Sequence, residues 1–262
     1  MGSRDRRLAV LAVLAVARGF AVPRVAVPRG VAAGPGGTAL APCAAASADA
    51  ETAAETAAGA PVETRATPKG RELAARLKNV NVYLVGMMGA GKSAVGERVS
   101  RRLGSYAFVD TDATIESATG RAIPEIFAAD GEAGFRAVES EVLDQVAAFV
   151  RLVIATGGGV VATQKNWASL RTGIVVWLDV PVPVLVDRIA ASDGGAGRPL
   201  LGDDLAADLT KKLDERSALY AQADVRVAVG AGETPDDVAD RVVDDVTAFI
   251  VANPPKTEPP PQ

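Results

Sequence analysis

The stretch Leu84–Gly96, "LVGMMGAGKSAVG", follows a short apolar run and leads into a segment with helical periodicity. Gly86, Gly89 and Gly91 break it where a regular element could have continued, and Lys92 and Ser93 come directly after. Residues 86–93 satisfy G-x-x-x-x-G-K-[ST], with the strand before and the helix after that this motif requires. Glycines let the backbone turn its N–H groups inward around phosphate oxygens with no side chain in the way. The following helix adds the partial positive charge of its N-terminus. In that arrangement Lys92 reaches the β- and γ-phosphates, and the Ser93 hydroxyl takes a place on Mg²⁺. An ordinary glycine-rich turn between strand and helix is the competing reading, and the context on both sides disfavours it.

Outward from this stretch the chain is rhythmic between residues 77 and 252. "NVNVYLVG", "YAFVD", "RLVIAT", "GIVVWLDV" and "VRVAV" are strand-length apolar runs, each bounded by turn residues. Helical stretches separate them; in "KSAVGERVSRRL" Val95, Val99 and Leu103 recur at helical spacing. Strands alternating with helices of this length predict an α/β domain, a parallel sheet covered on both faces.

The flanks differ. "MGSRDRRLAVLAVLAVARGF" has the basic start, short apolar run and small-residue junction of a secretory signal. Residues 21–48 continue in Ala, Pro, Val and Arg without an acid, the layout of an organelle transit segment. Joined at "GFAVP", the two resemble the bipartite leader of proteins bound for complex plastids, which implies a plastid stroma destination; an unaddressed Ala/Pro tail is the plainer alternative. Residues 49–76 read as a disordered linker and 253–262 as a disordered tail. The formal charge is −4, and residues 1–48 hold six basic residues and one acid, so their removal leaves −4 − 5 = −9. Such an acidic remainder is a poor partner for nucleic acid, and the expected mature form has no membrane segment. The one cysteine, Cys43, lies in the leader, which excludes a disulfide or a thiolate zinc site in the domain. There is no histidine, so a general base must be a carboxylate or, failing that, a lysine or tyrosine.

Five further segments hold chemistry-bearing residues. "FVDTD" ends a strand with Asp110 and Asp112, two carboxylates expected on one side of an extended segment at the sheet's carboxyl edge. Asp112 could equally be a helix cap. "GFRAVESEVL" puts Arg136 early in a helix that buries Val138, Val142 and Leu143, and taken alone that arginine reads as solvated. "VIATGGGVV" runs a buried strand into Gly157, Gly158 and Gly159, where a ligand can approach the backbone closely or a plain loop can form. "SDGGAGRPLLGDD" carries a lone Arg198 between helices, either a lid over phosphates or a surface loop, and "LDERSALYAQAD" sets Arg216 and Tyr220 on one helix face.

GMMGAGKS, DTD, GFR, TGGG, GRPLL and the ER-x-x-LY segment, in this order, resemble the shikimate kinase family over residues 79–250. The first motif is shared by many kinases, whereas DTD, GFR and TGGG together belong to this family. The resemblance implies the P-loop kinase fold, a central parallel five-stranded sheet with helices on both faces and a mobile lid. It implies ATP as co-substrate on Gly89, Ala90, Gly91, Lys92, Ser93 and Ala94, with Mg²⁺ on Ser93 and, through water, Asp110. Asp112 is implied as base or orienting group for the shikimate 3-hydroxyl, and Arg136 and Arg216 as the grip on the shikimate carboxylate. Gly157, Gly158 and Gly159 line the ring, while Lys92 and Arg198 neutralise the moving phosphoryl group. The products it implies are shikimate 3-phosphate and ADP, in aromatic amino acid biosynthesis, and a monomer or weak dimer is expected.

Two departures bear on the site. Ala94 stands where many relatives carry a second hydroxyl, a loss of one charge-assisted hydrogen bond of about 1.5–3 kcal/mol. Ala191 stands where some relatives carry an adenine-stacking arginine, which puts that contact in doubt. The rival readings are a gluconate or nucleoside monophosphate kinase, which should lack the later motifs, and a non-catalytic plastid relative with a binding or regulatory role. Loss of Lys92, Asp112, Arg136 or Arg216 would favour the latter, and all four are present.

Overall fold

The computed structural model describes residues 66–191 and 204–254. The proposed leader, residues 49–65 of the linker, the loop carrying Arg198 and the tail beyond 254 lie outside the described residues.

Each of the five apolar runs forms a strand: β1 (Val82–Val85), β2 (Ala107–Asp110), β3 (Leu152–Ala155), β4 (Ile174–Asp179) and β5 (Val225–Ala228). They join in one parallel sheet of order β2-β3-β1-β4-β5. Every residue of β1 and β3 is buried, while the edge strand β5 alternates buried and exposed. Continuous apolar strands belong inside a sheet covered on both faces and alternation belongs at its rim, so the apolar pattern encodes strand position.

Helix α2 (Lys92–Leu103) turns Val95, Val99 and Leu103 into the core and ends at Gly104, whose positive φ closes it. Helices α3 (Thr111–Thr119) and α4 (Ile123–Ala147) follow β2; α4 breaks at Gly131, which is non-helical at φ 67°. A short α5 (Asn166–Leu170) precedes β4, α6 (Val182–Ala191) follows it, and α7 (Leu205–Tyr220) and α8 (Pro235–Ala252) flank β5. Among the described residues no helix is long and apolar enough to cross a membrane.

The expected linker over 49–76 is corrected at its end. Residues Pro68–Leu77 form a helix, α1, which Thr67 caps by accepting from the Gly70 N–H at 3.0 Å. Leu73 and Leu77 are 1% and 2% exposed, so the domain begins before residue 77. Lys69 pairs with Asp244 of α8, and a Cβ on Gly70 would sit 2.0 Å from the Arg102 carbonyl oxygen of α2. One apolar stripe of two leucines on a polar ten-residue helix finds its burial in tertiary packing, which local composition does not report.

Candidate active site

The carboxyl ends of β1, β2 and β3 lie side by side, and the site is built from the loop or helix start that leaves each of them. After β1, Gly86, Gly89 and Gly91 all have positive φ, and Gly91 starts α2 from a left-handed conformation that a side chain would strain. Lys92, nearly buried, donates to the Gly86 and Met87 carbonyl oxygens at 2.9 Å each, so its ammonium lies along the loop. Ala94 lines the cavity that this loop borders, and its carbonyl accepts from Arg98 at 2.9 Å.

After β2, Asp110 and Asp112 share the site by a different geometry from the one expected. The strand stops at Asp110, which caps α3 by accepting from the Asp112 and Ala113 N–H groups, and Asp112 sits in the first turn of that helix. The two carboxylates are thus brought together by a helix start, not by strand pleating. Asp110 also accepts from the Ser93 hydroxyl at 2.5 Å, so the last residue of β2 and the first turn of α2 meet at one point. Asp112 is pushed up to about 6, first by burial and then by Asp110, with Lys92 pulling the other way. Its Oδ1 is buried with no hydrogen-bond partner among the described residues.

After β3, the three glycines serve by leaving space, since none is among the positive-φ residues. A Cβ on Gly157 would lie 2.5 Å from Glu139 Oε1 and 3.0 Å from Asp112 Oδ1; on Gly158, 3.0 Å from the Met88 nitrogen; on Gly159, 2.2 Å from Arg136 Nη2. Each glycine therefore admits a different functional group to one small volume. Thr111 Oγ1 accepts from the Gly157 N–H at 3.2 Å, which locks this loop to the start of α3.

Two cavities result. One, about 450 Å³, is lined by the phosphate loop with Asp110, Asp112 and Arg188. The other, about 270 Å³, is lined by Arg136, Glu139, Arg216, the three glycines and an apolar wall that includes Phe127 and Phe135, whose rings stack at 4.6 Å. Met88, Asp112 and Gly158 line both, so Asp112 stands at the junction.

Lys92, Ser93, Asp110, Asp112, Arg136, Arg216 and the glycines thus converge as expected, and Arg198 lies outside the described residues. Sequence reasoning missed Glu139, 1% exposed, whose carboxylate receives Arg136 Nη1 at 2.9 Å. Burial pushes its pKa up while Arg136 restrains it. The signal was present, a carboxylate three positions after Arg136 on the same helical face. Arg188 was missed too. It donates to the Ala90 carbonyl at 3.2 Å and lines the cradle and a neighbouring cavity of about 180 Å³ beside Pro235. The expectation fixed on Ala191, and the arginine stands about one helical turn earlier on α6.

A phosphate cradle joined through one carboxylate to an arginine-bearing pocket defines a P-loop small-molecule kinase, an ATP-dependent transferase. The shikimate kinase family model matches residues 88–247. The chain is 49% identical over 169 residues to a shikimate kinase of Nostoc punctiforme, 64% of this chain and 91% of that protein. It is 51% identical over 168 residues to one of Gloeobacter violaceus, with 64% and 92% covered. Among solved structures it is similar to shikimate kinase from Acinetobacter baumannii in complex with shikimate, 35% identical with a TM-score of 0.61, covering 70% of this chain and 99% of that one. The chain belongs to the shikimate kinase family.

Proposed function

We propose that this chain transfers the γ-phosphoryl group of ATP to the 3-hydroxyl of shikimate, giving shikimate 3-phosphate and ADP. The observation that carries the reading is the position of Asp112 at the junction of the two cavities, with one buried carboxylate oxygen lacking a partner among the described residues. An acceptor hydroxyl placed against that oxygen satisfies it, and the carboxylate takes the proton as the oxygen attacks phosphorus. Arg136, held by Glu132 and Glu139, and Arg216 line this cavity and have further N–H groups for the acceptor's carboxylate, and the glycine backbone and the Phe127–Phe135 wall take the ring.

The meeting of Ser93 and Asp110 fits a small hard cation. No cluster of three or more acidic, histidine or cysteine ligands occurs among the described residues, which suits Mg²⁺, an ion that keeps waters and substrate phosphates in its shell. Ser93 and Asp110 would hold it, and it supplies charge neutralisation on the β- and γ-phosphates. Lys92, Arg188 and, from outside the described residues, Arg198 supply the remaining positive charge. The leader-like composition of residues 1–48 and the similarity to proteins of Nostoc and Gloeobacter support a plastid location with that segment removed.

Phosphorus NMR of the product mixture tests the reading: a new phosphomonoester on the shikimate 3-position supports it. Inorganic phosphate alone, or phosphate on another hydroxyl, contradicts it.

A further inference from the structure

Tyr220, the last residue of α7, is fully buried and touches neither cavity, yet its hydroxyl donates to the Gly158 carbonyl oxygen at 2.5 Å. Gly158 lines both cavities, and the same carbonyl accepts from Arg216 Nη1 at 3.3 Å. Tyr220 Oη also lies 3.6 Å from the sulfur of Met87, in the phosphate loop, and its ring stacks on Trp177 of β4 with centroids 5.8 Å apart. Burial pushes the phenol up to about 12, Arg216 working the other way, so it stays a neutral donor at physiological pH.

We infer that Tyr220 is a positioning residue for the acceptor site: it fixes the Gly158 peptide and, through that shared carbonyl, frees Arg216 to direct its remaining N–H groups at an anionic acceptor. Without the phenol, the Gly158 carbonyl has the Arg216 guanidinium as its remaining donor among the described residues. The guanidinium is then drawn toward the protein and away from the ligand. A wholly structural tyrosine would lower stability and leave the kinetic constants for the two substrates in their original ratio.

This inference rests on the shikimate reading of the site. Tyr220→Phe keeps the ring stack and removes the hydroxyl. The expected result is a rise of about tenfold in KM for shikimate, with KM for ATP within about twofold and kcat within about threefold. In the Tyr220→Phe/Arg216→Lys double variant the two KM effects should be non-additive, because they act through one group. An active wild type with Tyr220→Phe changes that are additive, or that raise both KM values equally, overturns the inference. A wild type that does not phosphorylate shikimate overturns the proposed function instead. Thermal unfolding of Tyr220→Phe detects a destabilised variant, and in that case the kinetics are taken below its melting temperature, where the same selective KM rise for shikimate is required.

Discussion

At the scale of single residues, Asp112 is held for chemistry at a cost to stability. Its carboxyl is pushed up to about 6 from an ordinary 3.8 by burial and by Asp110, Glu139 and Glu116, with only Lys92 opposing. Well below about pH 3.8 it is protonated folded and unfolded alike; between about 3.8 and about 6 the unfolded chain ionises while the folded one stays protonated, so stability falls across that window and stays lost above it. Asp112→Asn should therefore be more stable than wild type at about pH 7.5, by up to about 3 kcal/mol, with the difference gone near about pH 3 in urea titrations. Activity should run the opposite way: kcat/KM for shikimate should fall about tenfold per unit below about pH 6, where the base is protonated. Glu139 behaves differently, because it compensates a buried cation. Glu139→Ala should cost about 3–5 kcal/mol by leaving Arg136 without its buried partner, measured by the same titrations, whereas Glu132→Ala, on the exposed side of Arg136, should cost less than about 1 kcal/mol.

Elements differed in how plainly the sequence announced them. All five strands were legible, the inner ones β1, β3 and β4 as apolar runs that a two-sided buried sheet needs and the edge strand β5 as an alternating one. The pairing of Asp110 with Asp112 was legible as a pair but not as a geometry, since the strand-to-helix boundary falls between them and only the cap on Asp110 reveals it. Helix α1 was hidden: "PKGRELAARL" follows a low-complexity run and offers two core leucines. Its N-terminal signal, Thr67 before Pro68, could have been read. Leu73→Ala, which empties a fully buried contact, should destabilise the domain by about 2–5 kcal/mol, and a chain begun at residue 77 should melt at lower temperature than one begun at residue 66. Equal melting of the two chains would show that α1 adds nothing to the fold.

The whole molecule joins two cavities through a single carboxylate, and that arrangement is what the order of motifs along the chain encodes. Composition had already removed histidine bases and thiolate metals, leaving carboxylates, arginines and backbone for the work. What composition could not supply was Arg188, whose role depends on which helix faces which loop in three dimensions; Glu139 was within reach as the i,i+3 partner of Arg136. Because both cavities belong to the folded state alone, saturating shikimate and ATP should each raise the unfolding temperature, with about 2.7 kcal/mol of added stability at about a hundredfold excess over Kd. The most direct test is ADP release by the purified protein with ATP and Mg²⁺, with and without shikimate, in wild type and Asp112→Asn. Release that depends on shikimate and falls at least about a hundredfold in the variant, while the variant still binds ATP, is the predicted result. ADP release that shikimate does not accelerate, or that survives intact in Asp112→Asn, would contradict it.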